Sequence, residues 1–252
     1  MTSTVMERSS GPGTRASTAW VMPAIVVALV IAVFAYRASV PLDSSETRSL
    51  TNEVIFTALG QHLKLVAVST LVTIAIGVPL GVALTRPRIR RVGAAVLVAA
   101  NAGQAVPSIG VLVLLAMLFG VGFWMAVVAL VVYALLPVLR NTMVGIRQVD
   151  AALIDAGRGM GMNAREVLFM IELPLAVPVM LAGIRVALIL NVGVATLAAF
   201  TNAGGLGSII SSGISLNRMP VLLVGSALTI ALALTVDWLA GPAERLLRPH
   251  GM

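Results

Sequence analysis

The sequence predicts an all-α integral membrane protein with six spans, and three observations predict it. The chain of 252 residues is 59% hydrophobic with a mean hydropathy of +1.02, whereas soluble domains are about 45–50% apolar. A single water-surrounded core could not hide that excess. The apolar residues fall in continuous runs, each near the roughly 20 residues a helix needs to cross a bilayer. Charged residues make up only 11% of the chain and stand mainly between those runs. Continuous runs favour helices over the alternating strands of a membrane barrel, and a helix satisfies its own backbone groups within lipid.

Residues 1–18, rich in Ser, Thr, Gly and Pro, are expected to be a disordered cytoplasmic tail. Residues 19–36 form the first apolar run. The h-region of a cleaved signal is about 7–15 residues long and ends at a small-x-small site. This run is longer and ends on Phe34-Ala35-Tyr36-Arg37, so it reads as a retained anchor. Residues 37–57, with Asp43, Glu46, Arg48 and Glu53, form a polar extracytoplasmic loop. A transmembrane unit over 58–240 follows, with spans at about 58–84, 92–119, 123–139, 175–200 and 219–240. Residues 140–172 are the longest charged stretch, and 241–252 form a second cytoplasmic tail.

Arginine placement sets the orientation. With the N-terminus in the cytoplasm, twelve arginines fall inside and three, Arg37, Arg48 and Arg218, fall outside. The positive-inside rule therefore puts both termini and the 140–172 loop in the cytoplasm. The net charge of +7 is explained by these loops, and no aromatic-interleaved basic stripe suggests nucleic acid. Lys64, His62, Arg185 and Asp237 lie toward span ends and read as snorkelling groups, with an ion pair or pathway role open for the last two.

Chemistry is sparse. Cysteine is absent and the only histidines are His62 and His250, so thiol catalysis and a histidine-rich metal site have no basis. No catalytic or metal-binding residue is assigned. Lys64 is the only lysine and stands in no P-loop pattern, so any ATP and Mg must be bound by another chain. An ion-coupled secondary transporter needs intramembrane acids, and only Asp237 and, marginally, Glu53 are candidates. A membrane enzyme would need convergent nucleophile, base or metal ligands, which the sequence does not offer.

The 140–172 stretch is patterned beyond a connector. Asp150 to Ala156 is helix-prone, Gly157, Gly159 and Gly161 break or bend it, and Ala164 to Glu172 is helix-prone again. Pro174 follows, where the next span begins. Here the chain resembles bacterial binding-protein-dependent importers, whose cytoplasmic motif is Glu-Ala-Ala, three residues, Gly, nine residues, then Ile-x-Leu-Pro. The counterpart is Asp155-Ala156-Gly157, three residues, Gly161, nine residues, then Ile171-Glu172-Leu173-Pro174. Asp155 replaces Glu, and Gly157 replaces Ala at about 1 kcal/mol of helix propensity.

The resemblance covers about residues 58–240. It implies the transmembrane domain of a type I ATP-binding cassette (ABC) importer, in the bacterial inner membrane, with a cytoplasmic coupling helix that fits a cleft of the ATPase subunit. The expected partners are ATPase subunits carrying ATP and Mg, a second permease subunit, identical or paralogous, and an extracytoplasmic substrate-binding protein. Three further stretches are similar to the osmoprotectant branch, which imports glycine betaine, carnitine, choline or proline. They are Gln104 to Ser108, Tyr133 to Thr142, and Ala195 to Phe200 with Gly204-Gly205-Leu206-Gly207. Methionine-type permeases share the Gly-Gly-Leu-Gly loop and are the alternative. Pro107 and Pro137 interrupt apolar runs as structural kinks or as gate hinges. Gly204, Gly205 and Gly207 either turn the chain outside the bilayer or re-enter and line the path.

Overall fold

A computed structural model describes residues 13–247; the expected tails over 1–12 and 248–252 lie outside the described residues. The described chain is helical throughout, joined by turns, with no strand. Helix α1 (Gly13–Ser39) packs along the last helix, α11 (Met219–Leu247). The first six residues of α1 and the end of α11 thus lie within stretches expected as tails.

The polar loop after α1 holds a short helix, α2 (Ser44–Ser49), closed by a capping box between Asp43 and Glu46. Helix α3 (Asn52–Leu84) begins six residues before the expected span. The Thr51 hydroxyl accepts the Val54 N–H at 3.3 Å and fixes that start. Its 33 residues make a rod of about 50 Å, longer than the roughly 30 Å hydrocarbon layer.

The expected third span is not one helix. Helix α4 (Arg90–Gly103) and helix α5 (Ser108–Phe119) meet at 93° across residues 104–107. Five helices are long and apolar enough to cross without this pair, and six crossings result if the pair counts as one broken span. Helix α6 (Phe123–Arg147) runs eight residues beyond the expected boundary at 139. Arg140 and Arg147 are compatible with a helix that continues past the lipid, where hydropathy stops but helix propensity does not.

After a short helix, α7 (Ala151–Gly159), the chain turns into α8 (Ala164–Val167). A π-turn over Leu168–Glu172 joins α8 to α9 (Leu173–Val194). The wide turn sits just before Pro174, whose missing N–H and bulky ring cannot continue an ordinary α-helical ladder. Helix α9 tightens into a 3₁₀ segment, Ala195–Thr201, and the glycine loop leads to α10 (Leu206–Ser215). The ten residues of α10 span about 15 Å and cannot cross. Leu206 and Ile209 of α10 are buried in the main core.

Helices α3, α6 and α9 form the centre of the bundle. In lipid, helix association rests on close packing rather than on the hydrophobic effect, which favours small residues between axes. A Cβ on Gly81 of α3 would stand 2.7 Å from Thr142 Cβ, and one on Gly183 of α9 would stand 2.7 Å from Pro137 O. Both neighbours belong to α6, which is thereby clamped on two sides.

Candidate coupling segment and gating elements

The 150–174 segment is built from three consecutive local devices. Asp150 caps α7, its carboxylate accepting the Ala152 N–H at 2.9 Å. The helix ends in a Schellman turn: Met162 N–H donates to Gly157 O at 3.1 Å and Gly161 N–H to Arg158 O at 2.9 Å. Gly161 sits at φ +89° with open space around its Cα, so conformation, not room, requires glycine there. Asn163 then opens α8 through a capping box with Glu166. The turn between the two helices is thus specified residue by residue.

Gly157 and Ile171, fourteen positions apart in the sequence, come into direct contact. A Cβ on Gly157 would lie 2.6 Å from Ile171 Cδ1. The glycine that departs from the importer motif is therefore the seat of the motif's isoleucine, as well as a point of lower helix propensity. Leu173 and Leu168 pack against a cluster of Ile146 of α6 with Ala176 and Met180 of α9, on which Val78 and Val82 of α3 also pack. Asp155 and Ala156 face outward on α7, and Asp155 stands 4.0 Å from Arg158, both exposed. Leu153, Met160, Phe169 and Met170 are exposed beside them, Met160 at 74% and Phe169 and Met170 at 65%. The last two lie in the 140–172 stretch, whose charges and glycines mark it in the sequence without showing which apolar side chains face outward.

Glu172 occupies the variable position of the Ile-x-Leu-Pro motif and is 8% exposed. Its Oε2 lies 2.6 Å from Arg86 Nη2, just beyond the end of α3. Sequence reading placed both residues in charged stretches without pairing them, because 86 positions separate them.

The second constellation joins the broken span to α6. Pro137 has no N–H for Tyr133 O, four residues earlier, and Gln104 Nε2 donates to that carbonyl at 3.3 Å. Tyr133 Oη in turn donates to Val106 O in the break. Pro107 stands at the N-cap of α5. It starts a helix and does not kink one, which corrects the expectation of a proline inside a span. Ala99, Ala100, Gly103, Gln104 and Tyr133, with apolar residues of α6, line a cavity of about 270 Å³ between α4 and α6.

At the opposite end of α3 lies the glycine loop. Gly204 and Gly205 have φ of +78° and +89°. Gly205 N–H donates to Gln61 Oε1 at 3.0 Å, and Leu206 N–H donates to His62 Nδ1 at 3.3 Å. His62 Nε2 donates to Val192 O at 3.0 Å. His62 is fully buried, so it is a crosslink between α3, α9 and the loop and not a snorkelling group. Gly207 lies against the Thr196 carbonyl, where no Cβ fits. Arg185 and Asp237 form an ion pair at 2.6 Å between α9 and α11. Lys64 Nζ lies 5.0 Å from the centre of the Phe123 ring.

The family model for the binding-protein-dependent transport system inner membrane component matches residues 77–249. The chain belongs to this family. It is a multi-pass membrane permease subunit of the ABC importer class. The glycine betaine/carnitine/choline transport system permease protein of Bacillus subtilis is 39% identical over 193 residues, 77% of this chain and 88% of its own length. The osmoprotectant import permease protein OsmY of Salmonella typhimurium is 39% identical over 227 residues, 90% of this chain and 94% of its own. Among solved structures, an inward-facing MetNI methionine ABC transporter superposes with a TM-score of 0.68 at 24% identity, covering 79% of this permease and all of that chain. That likeness bears on the fold alone.

Proposed function

We propose that this permease forms half of the translocation path of an ATP-driven importer for a small osmoprotectant of the betaine, carnitine or choline type. The observation that carries the substrate class is the 39% identity, over most of both chains, to permeases named for those solutes. The residues agree with it in a negative way. A quaternary ammonium site of high affinity needs several converging aromatic faces. The chain is 4% aromatic, and the Phe123 face is already occupied by Lys64. Affinity is then set by a separate extracytoplasmic binding protein, and this chain provides passage.

In this reading α7, with Asp155 and Ala156 on its outer face, docks on the ATPase subunit that binds ATP and Mg. Gly157, Gly161, Ile171, Leu173 and Pro174 hold it in shape. The exposed Leu153, Met160, Phe169 and Met170 give the contact its apolar area, since exposed apolar side chains beside charges mark interaction surfaces. The arginine asymmetry puts this end, and both termini, in the cytoplasm. Pro107 and Pro137, tied through Gln104 and Tyr133, act as the hinge of the broken span. Gly204, Gly205 and Gly207 form the fixed turn of a non-crossing helix at the far end. A second membrane subunit completes the path.

The test is reconstitution of the complete transporter with its ATPase and binding protein in vesicles. ATP-dependent uptake of labelled glycine betaine, carnitine or choline is the expected result. Uptake of methionine in their place, or betaine uptake that persists without ATP, refutes the reading.

A further inference from the structure

We propose that Arg86 and Glu172 form a strut that passes movement of the coupling segment into α3, and through α3 to the glycine loop at its other end. The inference rests on the reading of residues 150–174 as the ATPase contact. Glu172 lies at the junction of the π-turn and α9, nearly buried, with its carboxylate 2.6 Å from the Arg86 guanidinium. Arg86 is itself fastened to α3. Its Nε donates to Val82 O at 3.3 Å and its Nη2 to Thr85 Oγ1 at 3.1 Å. A cation at the carbonyl end of a helix is favoured by the helix dipole, so the guanidinium belongs to α3 as firmly as to its partner.

Several features make this pair a mechanical link. A charge-assisted hydrogen bond is short and roughly twice as strong as a neutral one. Separation would leave the Glu172 carboxylate, only 10% exposed, without its partner, so the two ends resist it. Leu173, the next residue, packs on the same cluster of Ile146, Ala176 and Met180 as Val78 and Val82 of α3, and Gly81 braces that stretch of α3 against α6. The other end of the rod is equally committed. Gln61 and His62 hold two backbone N–H groups of the glycine loop, and His62 is 24 residues from Arg86, about 36 Å along a helix. A displacement of Glu172 that carries α3 along its axis therefore reaches the loop directly, without passing through the α4–α5 break.

The test is a double-mutant cycle on transported solute per ATP hydrolysed, in the complete reconstituted transporter. Its variants are Glu172→Gln, Arg86→Gln and the two together. Each single variant is expected to retain the ATPase on co-purification and to transport less per ATP by about fivefold or more, the lower range of coupling between sites. The double variant is expected to be no worse than the worse single one, because the two residues act as one unit. Wild-type transport per ATP in both singles overturns the strut. So do losses that multiply in the double variant, or loss of the ATPase on purification, because these mark independent structural roles. Crosslinking of an Asp155→Cys variant to the ATPase tests the underlying contact separately. Its absence in an otherwise wild-type permease refutes the coupling reading whatever the cycle shows.

Discussion

The two ends of α3 are held in opposite ways. At the glycine-loop end, His62 is fully buried and uses both ring nitrogens, and Gly207 has no space for another atom. At the coupling end, the Arg86–Glu172 pair ties α3 to a segment whose Asp155 and Arg158 face outward at 4.0 Å, their side chains 76% and 64% exposed. Backbone groups out of reach of water must keep their partners, so the first end has one geometry. Groups at the water boundary can exchange a protein partner for solvent at small cost, so the second end can be pulled by a docked partner. In the proposed reading, a subunit driven from one side needs this inequality: an end that yields to the motor and an end that transmits without yielding.

The sharpest way to break the comparison is to add one methyl at the unyielding end. Gly207→Ala would drive its Cβ into the Thr196 carbonyl, a backbone atom with nowhere to go. Overpacking costs roughly 1–3 kcal/mol and sometimes more, and this variant should fall at the upper end. The expected outcome is a large drop in the thermal midpoint of the detergent-solubilised protein and poor recovery of folded material. A midpoint within a degree or so of wild type would mean that the glycine loop is soft, and the contrast between the two ends would be lost.

At the yielding end a matched substitution should cost less. Gly161 has open space but a φ of +89°, so Gly161→Ala carries only the left-handed penalty, about 1–2 kcal/mol. The loss should appear as faster proteolysis or hydrogen exchange confined to residues 155–166, with the global midpoint little changed. A global loss as large as that of Gly207→Ala would show that the coupling turn is part of the bundle's core.

Much of this was legible in the sequence, for identifiable reasons. The apolar runs mark where lipid surrounds the chain, so the existence and order of the crossing helices follow from hydropathy. Hydropathy carries no direction, however, and the apolar pattern passes through residues 104–107 while the backbone turns by 93°. The available signal was Gln104 beside Pro107, with Pro137 in α6 freeing a carbonyl for it. Helix α6 overran its expected end at 139 because a span stops at the lipid boundary and a helix need not. The turn at Gly161 was readable because a glycine stop acts within a few residues, whereas Gly157 and Gly159, expected to break the helix, lie inside α7. The Arg86–Glu172 pair and the His62 crosslink were not, since each joins positions that only the packed bundle brings together.

The smallest expected effect concerns Asp43, in the loop at the same end as the glycine loop but outside the buried lattice. Its Oδ1 accepts from Ser45 Oγ at 2.7 Å and from the Ser45 and Glu46 N–H groups at 2.8 Å. Arg218, just before α11, lies 2.8 Å from Oδ2. The Ser45 hydroxyl first, then the Glu46 N–H, with Arg218 adding to them, hold the carboxyl below its ordinary value of 3.8. A carboxylate with a lowered folded value stabilises the fold above its unfolded value and loses that contribution as pH falls through the folded one. Asp43→Asn keeps an acceptor for the cap and removes only the charge. Wild type should therefore exceed this variant in thermal midpoint by the same small margin at pH 7 and at pH 5, and the margin should close only below pH 3.8. Closure already at pH 5 would place the titration elsewhere. A margin matching the Gly207→Ala loss would show that this exposed tie is as firmly built as the glycine loop, and that the unyielding character of this end extends beyond its buried part.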